Sequence, residues 1–381
     1  MKEEPIRVAQ IIGKWLGGGV ESVVMNYYRN IDRTKIQFDF LCSEESTDIP
    51  YEELEKMGAN VILIPPYQKF FKYHKKLKNV LIDEQYGIVH SHINALSVFS
   101  LWAAKCAGIP IRIAHSHSTT NKKEKKKNLI KQILRPFSKI FATHYMCCSE
   151  LAGRWLFGNK EFDKGYIYVL NNAIELKKFE FNSYKRKTTR EKFGILDDTL
   201  VIGHVGRFVE QKNHDFLIDI FYGLHNQEKK TVLMLIGQGS LENNILEKVK
   251  KLKLEDSVLF LGQRNDVHEL YNAMDVFAFP SIYEGLGMVA VEAQVNNLEV
   301  VCSNYVPREA AVSNKITFID LKEKEQWVNI LKEKMNNRMK QANFNEEFNK
   351  YDIKKQCKCL EEKYLEMLRN EKVIKESKTK N

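Results

Sequence analysis

The chain has 381 residues, too many for one core of usual size, and its hydrophobic fraction of 44% is enough to fill two. This composition excludes a largely disordered protein. The seven cysteines are odd in number and scattered, which excludes a regular disulfide framework and favours reduced thiols in the cytosol. The net charge is +10, and two lysine-rich segments, 67–78 and 121–135, together carry more than this excess.

Neither a secretory signal nor a membrane span is predicted. The start, MKEEPIRVAQII, places two acids and a proline before a short apolar run, which is the wrong order for a signal peptide. The most apolar stretch, Asn94 to Ala114, is interrupted by Lys105 and Arg112, so it would bury charge in a bilayer. We expect a soluble protein that contacts a membrane, if at all, from its surface.

Short β-branched runs alternate with helical patterns along the chain, which is typical of βαβ units and parallel sheets. The predicted strands of the first half are IRVAQII, IQFDFL, NVILI, GIVHS, IRIAH and IFATHYMCC. Those of the second half are LVIGHVG, TVLMLIG, SVLFLG, VFAFP, EVVCS and ITFID. The sequence therefore predicts an α/β protein with two doubly wound domains. The predicted divisions are an N-terminal domain at 1–172, a connection at 173–195, a C-terminal domain at 196–343, an amphipathic helix at 344–370 that packs back across the domains, and a solvated tail at 371–381.

The loop after the first predicted strand, WLGGGVES, contains three consecutive glycines. It lacks the Gly-x-Gly-x-x-Gly spacing of a dinucleotide-binding fingerprint. Glycines still let backbone N–H groups approach a ligand closely. The alternative is a tight turn without a ligand.

Two His-x-His pairs, His90 with His92 and His115 with His117, stand at the ends of predicted strands. Alternate residues on a strand share a face, so each pair is able to reach one site beside the sheet edge. Imidazole pairs are familiar zinc ligands, but no acidic ligand accompanies these, and we predict no metal. For His90 and His115 a hydrogen-bonded packing role is the favoured interpretation.

The segment GHVGRFVEQKNHDFLI, residues 203–218, places Arg207 and Lys212 in a loop between a strand and a helix. An Arg binds a diphosphate bidentately and a Lys supplies a compact charge, so the two cations suit a diphosphate at the strand end. The alternative is a solvated basic loop.

The segment FPSIYEGLGMVAVEAQ, residues 279–294, places Glu284 before a Gly-x-Gly turn that opens a helix carrying Glu292. Free backbone N–H groups at a helix start attract an anion, so this is a second candidate phosphate site. Eight residues along a helix span about 12 Å, more than the separation of a glycosidase carboxylate pair. We therefore assign the two glutamates separate roles.

These motifs together resemble the retaining glycosyltransferases of the GT-B fold, family 4, of the kind that builds capsular or exopolysaccharide. The resemblance rests on GGGVESVV, HSH after the IRIA strand, GHVGRFVEQKN, LGQRNDVHELYNAMDVFAFPSIYEGLGMVAVEA and CSNYVPREA, in this order over nearly the whole chain. It implies two Rossmann-like parallel-sheet domains that face each other across a cleft. It also implies a hexosyltransferase that needs no metal or other cofactor.

The resemblance carries roles to particular positions. It implies that Arg207 and Lys212 hold the donor diphosphate, that Glu292 binds the ribose, and that Arg264 contacts the base. The catalytic residues that it implies are His117, Arg207, Lys212 and Glu284. The donor-binding residues that it implies are Gly18, Gly19, Arg207, Lys212, Arg264, Glu284, Gly285, Leu286, Gly287, Met288 and Glu292.

One stretch departs from the family pattern. Where the family has Ala-x-Gly-x-Pro after the second glutamate, this chain has Asn296, Asn297, Leu298 and Glu299. Because Asn tolerates the left-handed conformation nearly as Gly does, we expect the turn to survive.

The partners implied by the resemblance are a nucleotide-sugar donor, with UDP favoured, and a glycan or lipid-linked acceptor in surface polysaccharide synthesis, with no nucleic acid. Two alternatives remain open: a GT-B-fold sugar-nucleotide epimerase, and a non-catalytic sugar- or metal-binding module. We expect the protein in the cytoplasm at the inner face of the cell membrane.

The membrane expectation rests on the two basic segments. Phe70, Phe71 and Tyr73 intersperse the first, and Leu129, Ile130, Ile133 and Leu134 form one face of a helix in the second. Lysines beside apolar residues are typical of interfacial anchors on anionic membranes. The alternative is that the apolar residues belong to the core.

Overall fold

The computed structural model describes residues 4–117, 132–335 and 345–379. The chain divides into two compact units. Unit 1 combines Met1–Ile174 with Lys350–Asn381, and unit 2 is Glu175–Asn349. Each unit has helices on a single parallel sheet, which confirms the predicted fold class of two α/β parallel-sheet domains.

The strands and helices alternate along most of the chain. The strands are β1 (Ile6–Gly13), β2 (Ile36–Ser43), β3 (Val61–Ile64), β4 (Ile88–Ser91), β5 (Ile111–Ser116), β6 (His144–Cys147), β7 (Ile167–Val169), β8 (Leu200–Val205), β9 (Thr231–Ile236), β10 (Val258–Phe260), β11 (Val276–Phe279), β12 (Glu299–Ser303) and β13 (Ile316–Ile319). The α-helices of the described ranges are α1 (Gly19–Asn30), α2 (Tyr51–Lys56), α3 (Phe70–Asp83), α4 (Ser97–Cys106), α5 (Glu150–Phe157), α6 (Asn159–Asp163), α7 (Leu176–Phe179), α8 (Ser183–Lys192), α9 (His214–Gln227), α10 (Glu242–Lys251), α11 (Val267–Ala273), α12 (Met288–Val295), α13 (Lys324–Met335) and α14 (Ile353–Thr379).

The sheet of unit 1 has the order β3-β2-β1-β4-β5-β6-β7, and the sheet of unit 2 has the order β10-β9-β8-β11-β12-β13. In both sheets the strand order reverses beside the first strand, which is the doubly wound arrangement. The sequence predicts every one of these strands except β7. That strand has three residues and pairs only with β6 at the sheet edge, so its apolar signal is short.

The strands read as apolar runs because both faces of each sheet are covered. In β2 every residue except Ser43 is buried, including Asp39. The Asp39 carboxylate is compensated by the Arg7 guanidinium at 2.7 Å and by the Tyr86 hydroxyl, which donates to it at 2.9 Å. A charge inside the sheet is thus tolerated because it is fully paired.

The predicted connection, 173–195, is structured, and most of it belongs to unit 2. Arg190 of α8 is buried, and its guanidinium lies 3.4 Å from the carboxylate of Asp275, which is also buried. Arg186 of the same helix pairs with that carboxylate at 2.6 Å. A composition rich in Lys, Arg and Asn predicted an interdomain connection, whereas the structure uses two of its cations to compensate a buried acid.

The C-terminal helix α14 begins at residue 353 rather than 344 and packs on unit 1. Its buried residues recur at spacings of four and three and join the core of unit 1; they are Ile353, Cys357, Leu360, Tyr364 and Met367. The helix continues to residue 379 through most of the predicted tail, because Lys and Glu are good helix formers. Neither this helix nor any other in the described ranges is long and apolar enough to span a bilayer.

Candidate active site

Two of the predicted site residues meet at the carboxyl end of the sheet in unit 2. Lys212 lies in the loop between β8 and α9, and Glu284 lies in the loop between β11 and α12. The Lys212 ammonium donates to Glu284 Oε1 at 2.7 Å, and the two side chains are 16% and 8% exposed. The ammonium also lies 4.8 Å from the centre of the Phe279 ring. Residues 72 positions apart thus form one ion pair at the strand ends.

Arg207 lies two residues beyond the end of β8 and is exposed. In the described part of the chain its guanidinium has no hydrogen bond or ion pair. At the preceding residue, Gly206, a Cβ would lie 3.0 Å from Cγ and Cδ of Lys212. The glycine therefore leaves room for the lysine side chain to cross the loop. The loop therefore presents one partly buried, paired cation, Lys212, and one exposed cation, Arg207.

The turn before α12 has the geometry that the Gly-x-Gly pattern predicts. Gly287 has a φ of 86°, and a Cβ there would lie 2.9 Å from Cε1 of Phe279, so both conformation and space require glycine. Leu286 is buried and anchors the turn. No side chain caps this helix end, so the positive end of the helix dipole is open to an anion.

Glu292 projects from α12 and has a different partner from Glu284. The Tyr271 hydroxyl donates to Glu292 Oε2 at 2.8 Å. Burial raises the pKa of Glu292 to about 7, although the Tyr271 hydrogen bond and the Lys212 charge act to lower it. Glu284 lies on the preceding loop, so the helical spacing expected between the two glutamates does not apply. Their separate partners still distinguish them.

Arg264 lies in the loop after β10, where its guanidinium forms a two-pronged ion pair with Asp266. Its Nε and Nη2 donate to the two carboxylate oxygens at 2.8 and 2.5 Å. The Arg264 hydrogen bond is the main cause that lowers the pKa of Asp266. One edge of the guanidinium is thus occupied by Asp266.

The turn after α12 forms as expected, although the sequence there departs from the family pattern. Asn297 has a φ of 63°, in the left-handed region where the sequence analysis allows Asn to replace Gly. Asn296 supports the turn by donating through its side-chain amide to the Phe179 carbonyl at 2.8 Å.

The glycine loop of unit 1 opens α1. Gly18 is the N-cap residue, and Glu21 Oε1 accepts a hydrogen bond from the Leu16 N–H at 3.0 Å. A side chain at Gly18 would lie 2.9 Å from Glu21 Oε2, whereas nothing lies within 4 Å of a Cβ built on Gly19. Gly18 therefore makes room for an internal carboxylate, and Gly19 borders open space.

The four histidines of unit 1 form one buried cluster with two hydrogen-bonded chains. In the first chain, the Tyr364 hydroxyl lies 2.7 Å from His90 Nδ1, and His90 Nε2 lies 2.9 Å from His115 Nδ1. In the second, Gln10 Oε1 lies 2.7 Å from His92 Nε2, and His92 Nδ1 lies 2.8 Å from Nε2 of His117. Burial lowers the pKa of His90 and His117 to about 3, so the rings are neutral near pH 7.

The Gln10 amide determines which nitrogen of each ring carries the proton. It donates through Nε2 to the Tyr364 oxygen at 3.3 Å, so its carbonyl accepts from His92. His92 Nδ1 then accepts from His117, which leaves a lone pair on His117 Nδ1. Among the described residues, His90 Nδ1 is the acceptor within reach of the Tyr364 hydroxyl proton. With this hydroxyl as donor, His90 donates to His115 and leaves a proton on His115 Nε2. Within the described ranges neither end atom has a hydrogen-bond partner, and both are buried, one as an acceptor and one as a donor.

Three of these rings lie close enough together to be considered as ligands of one metal ion. Ring nitrogens of His90, His92 and His115 lie within 4.8 Å of one another. His90 and His115, however, face each other at 2.9 Å, shorter than the roughly 3.3 Å between two nitrogens on one tetrahedral zinc. Hydrogen bonding accounts for their placement, and the absence of a metal stays a prediction.

Comparison with known proteins identifies the family. The putative glycosyltransferase EpsF of Bacillus subtilis is 34% identical over 311 residues, which are 80% of this chain and 81% of EpsF. The family described as Glycosyltransferase Family 4 matches residues 17–178, and the one described as Glycosyl transferases group 1 matches residues 185–352. The chain belongs to glycosyltransferase family 4. The resemblance read from the motifs is confirmed, and the protein is a transferase.

Two further comparisons place this glycosyltransferase among relatives of known type. The UDP-Gal:α-D-GlcNAc-diphosphoundecaprenol α-1,3-galactosyltransferase of Escherichia coli is 24% identical over 383 residues, 96% of this chain and 98% of the relative. The solved structure of Anabaena HepE in complex with UDP and glucose aligns with a TM-score of 0.78 and 18% identity, over 94% of this chain and 99% of that one. At this identity the structural likeness shows the fold alone.

The sequence analysis of this glycosyltransferase missed several residues that support its candidate site. Glu21 stands at the third position of α1, where an acid that reaches back to the N-cap loop is a readable signal. No local sequence pattern identifies Gln10, Tyr271 or Tyr364. Each acts across elements distant in sequence, so only the folded chain reveals it.

Proposed function

We propose that this protein is a retaining glycosyltransferase that moves a sugar from a UDP-sugar to the glycan of a lipid-linked acceptor in surface polysaccharide synthesis. The observation that carries the proposal is the Lys212–Glu284 ion pair, set beside the open guanidinium of Arg207 at the end of β8. The galactosyltransferase relative, named for a UDP-Gal donor and a diphosphoundecaprenol acceptor, supports the choice of substrates.

The donor diphosphate would bind at the cations and the open end of α12. Arg207 has no competing partner in the described residues, so it can take two phosphate oxygens directly. Lys212 already pairs with Glu284, and an arriving diphosphate would share its ammonium. Glu284, partly released, would accept hydrogen bonds from hydroxyls of the sugar to be transferred.

The nucleoside end of the donor would lie beside Glu292 and Arg264. Ribose hydroxyls donate best to an ionised carboxylate, so UDP binding would lower the raised pKa of Glu292. The Tyr271 hydrogen bond holds the carboxylate in one orientation for that contact. Because the Arg264 fork is held by Asp266, the base would stack on the guanidinium face.

In the transfer step, the bond between the sugar's anomeric carbon and the diphosphate oxygen breaks. The acceptor hydroxyl forms the new bond on the same face, and its proton passes to the departing phosphate oxygen. Arg207, Lys212 and the α12 dipole stabilise the charge that develops on the leaving UDP. His117, a neutral ring whose Nδ1 has no hydrogen-bond partner in the part of the chain that the structure describes, would accept a hydrogen bond from a hydroxyl of the donor sugar.

The proposal is tested by calorimetric titration of the protein with UDP, GDP, ADP and a panel of UDP-sugars. We expect UDP and one UDP-sugar to bind most tightly. Incubation with that donor and a lipid-linked glycan, followed by NMR of the product, should show an anomeric configuration equal to that of the donor. Inversion would contradict the retaining mechanism, and interconversion of the UDP-sugar without any acceptor would favour an epimerase.

Peripheral contact with an anionic membrane is part of this proposal. On α3 the Phe71 side chain is 86% exposed, and lysines surround it; they are Lys69, Lys72, Lys75 and Lys76, all exposed. Phe70 stacks on Trp102 at 5.4 Å, and Trp102 stacks on Phe141 at 6.0 Å. A basic helix thus adjoins a continuous aromatic surface, which suits a membrane interface.

The structure corrects one residue of the membrane hypothesis and leaves others open. Tyr73 is buried in the core of unit 1 and is not an interfacial anchor, because it lies on the inward face of α3. In the second basic segment Ile133 is exposed. The lysines at 122–127, with Leu129 and Ile130, lie outside the described residues.

A further inference from the structure

Unit 1 contains an apolar pocket of about 290 Å³ that the donor-binding residues do not explain. It lies at the carboxyl ends of β1, β2 and β3, the edge of a parallel sheet where ligands bind. Its apolar walls include the aliphatic side chains of Ile11, Leu41, Ile64, Leu77, Ile93 and Leu96. A pocket of this size and lining suits a hydrocarbon ligand.

The rim of the pocket is polar on one side. Lys14, just after β1, forms an ion pair with Glu45 at 3.6 Å, and both side chains are about half exposed. Lys14 leads directly into the glycine loop, where Gly19 borders open space. A ligand with a hydrocarbon body and a phosphorylated head would therefore find a cation and backbone N–H groups where its head emerges.

The pocket also borders α3, the helix that carries part of the aromatic surface. Tyr73 and Leu77, on the inward face of α3, line the pocket, while the outward face carries Phe71 and the lysines. Tyr67, another wall residue, stacks on Phe99 at 5.9 Å, and Phe99 contacts Phe70 at 5.9 Å. The same helix thus separates a candidate membrane surface from an apolar cavity.

We infer that this pocket binds the isoprene units nearest the diphosphate of a polyprenyl diphosphate-linked acceptor. The inference rests on the proposed function, which supplies the lipid-linked acceptor, and adds where its lipid is held. A polyprenyl diphosphate accounts for all three observations. Its hydrocarbon chain suits the apolar walls, its diphosphate suits Lys14, and its location in the membrane suits the α3 surface. The site selects acceptors by their lipid, independently of their sugar.

The test uses the full-length protein and geranyl diphosphate as the probe, titrated without any donor, with inorganic diphosphate as the head-only comparison. Ser43→Trp and Leu96→Trp each fill the pocket from a different wall, and Leu151→Trp, on the exposed face of α5, is the matched control. Thermal denaturation checks that each variant is folded.

We expect geranyl diphosphate to bind the wild type at least about tenfold more tightly than inorganic diphosphate, because apolar surface is buried. Both pocket variants should lose this advantage, and Leu151→Trp should keep it. With a lipid-linked glycan the pocket variants should raise KM by about tenfold, with no change for the same glycan on a methyl diphosphate.

Equal binding of geranyl diphosphate and inorganic diphosphate by the wild type would overturn the inference, as would unchanged binding by two folded pocket variants. UDP titration separates this outcome from a failure of the proposed function. If no nucleotide binds while geranyl diphosphate does, the pocket stands and the proposed transfer from a UDP-sugar falls.

Discussion

The Tyr364 hydroxyl on α14 lies 2.7 Å from His90 Nδ1 on β4, 274 positions earlier in the chain. Through this contact the C-terminal helix determines which nitrogens of the buried histidines carry protons. The second chain, which ends at His117, is set through Gln10, and Gln10 donates to the same hydroxyl. The helix therefore positions the histidine that we propose to contact the donor sugar.

Replacing Tyr364 with Phe should disturb transfer more than it disturbs nucleotide binding. The variant removes the hydroxyl that orients Gln10 and His90, so His117 Nδ1 would no longer be held as an acceptor. We expect kcat to fall about tenfold with UDP affinity unchanged, and the free energy of unfolding to fall by about 1 to 2 kcal/mol.

Tyr28→Phe is the matched control for this variant, because its buried hydroxyl donates to the Met57 carbonyl at 2.9 Å and contacts no histidine. It should lose similar stability and keep its kcat. Equal loss of kcat in both variants would show that Tyr364 acts only through stability.

Arg207→Ala and Lys212→Ala should each lower kcat by about a hundredfold or more, on the order of 3 kcal/mol of transition-state stabilisation. The sequence alone predicts no effect on folding for either. The structure changes this for Lys212, because its loss leaves the buried Glu284 carboxylate unpaired.

Chemical denaturation should therefore show Lys212→Ala destabilised and Arg207→Ala unchanged. Adding Glu284→Gln to Lys212→Ala should restore stability without restoring activity. Wild-type rates in either single variant would remove the diphosphate assignment.

The two glutamates should separate binding from transfer. Glu292→Gln should weaken the affinity for free UDP, since it alters the proposed ribose contact. Glu284→Gln should leave UDP affinity near that of the wild type and lower kcat, since it faces the proposed sugar. Calorimetry with UDP and steady-state kinetics measure the two effects, and an equal loss of UDP affinity in both variants would contradict the division.

Titration of Glu292 should make both binding and stability depend on pH. Its folded pKa of about 7 lies above the ordinary value of 4.5, so the folded protein binds more protons than the unfolded chain between these values. Stability should therefore decline as pH rises from 4.5 to 7, while UDP affinity should increase as the carboxylate ionises. Thermal denaturation and UDP titration at pH 6 and 8 should show both trends, and Glu292→Gln should flatten them.

Neutralising the lysines on α3 should release the protein from anionic vesicles. Lysines near an anionic surface contribute about 1 kcal/mol each, so changing Lys72, Lys75 and Lys76 to Gln should weaken binding about a hundredfold. The same change at Lys250, Lys251 and Lys253 of unit 2 alters net charge equally and should have little effect. Co-sedimentation with phosphatidylserine vesicles at low salt is the measurement, and a wild type that does not sediment would refute membrane contact.

Five of the six lysines in the second basic segment provide a parallel test. Neutralising Lys122, Lys123, Lys125, Lys126 and Lys127 together should also release the protein, and high salt should act similarly. Undiminished sedimentation of this variant would confine the contact to the α3 surface.

Local patterns in the sequence were sufficient for the fold class and the family. Buried parallel strands require continuous apolar runs, so segments such as IRVAQII and VFAFP are predicted as strands without tertiary information. The glycine turn at Gly287 and the left-handed Asn297 were readable for the same reason, because backbone conformation restricts residue type at a single position.

Tertiary structure alone decided what each polar side chain does. Lys212 meets Glu284, Tyr271 meets Glu292, and Tyr364 meets His90 across separations that no local pattern encodes. The segment 173–195 was predicted as an interdomain connection because it is rich in Lys, Arg and Asn, yet Arg190 is buried against Asp275. Hydrogen bonds and ion pairs are directional and need a partner at a particular distance, so they exist only once the sheets have brought distant loops together.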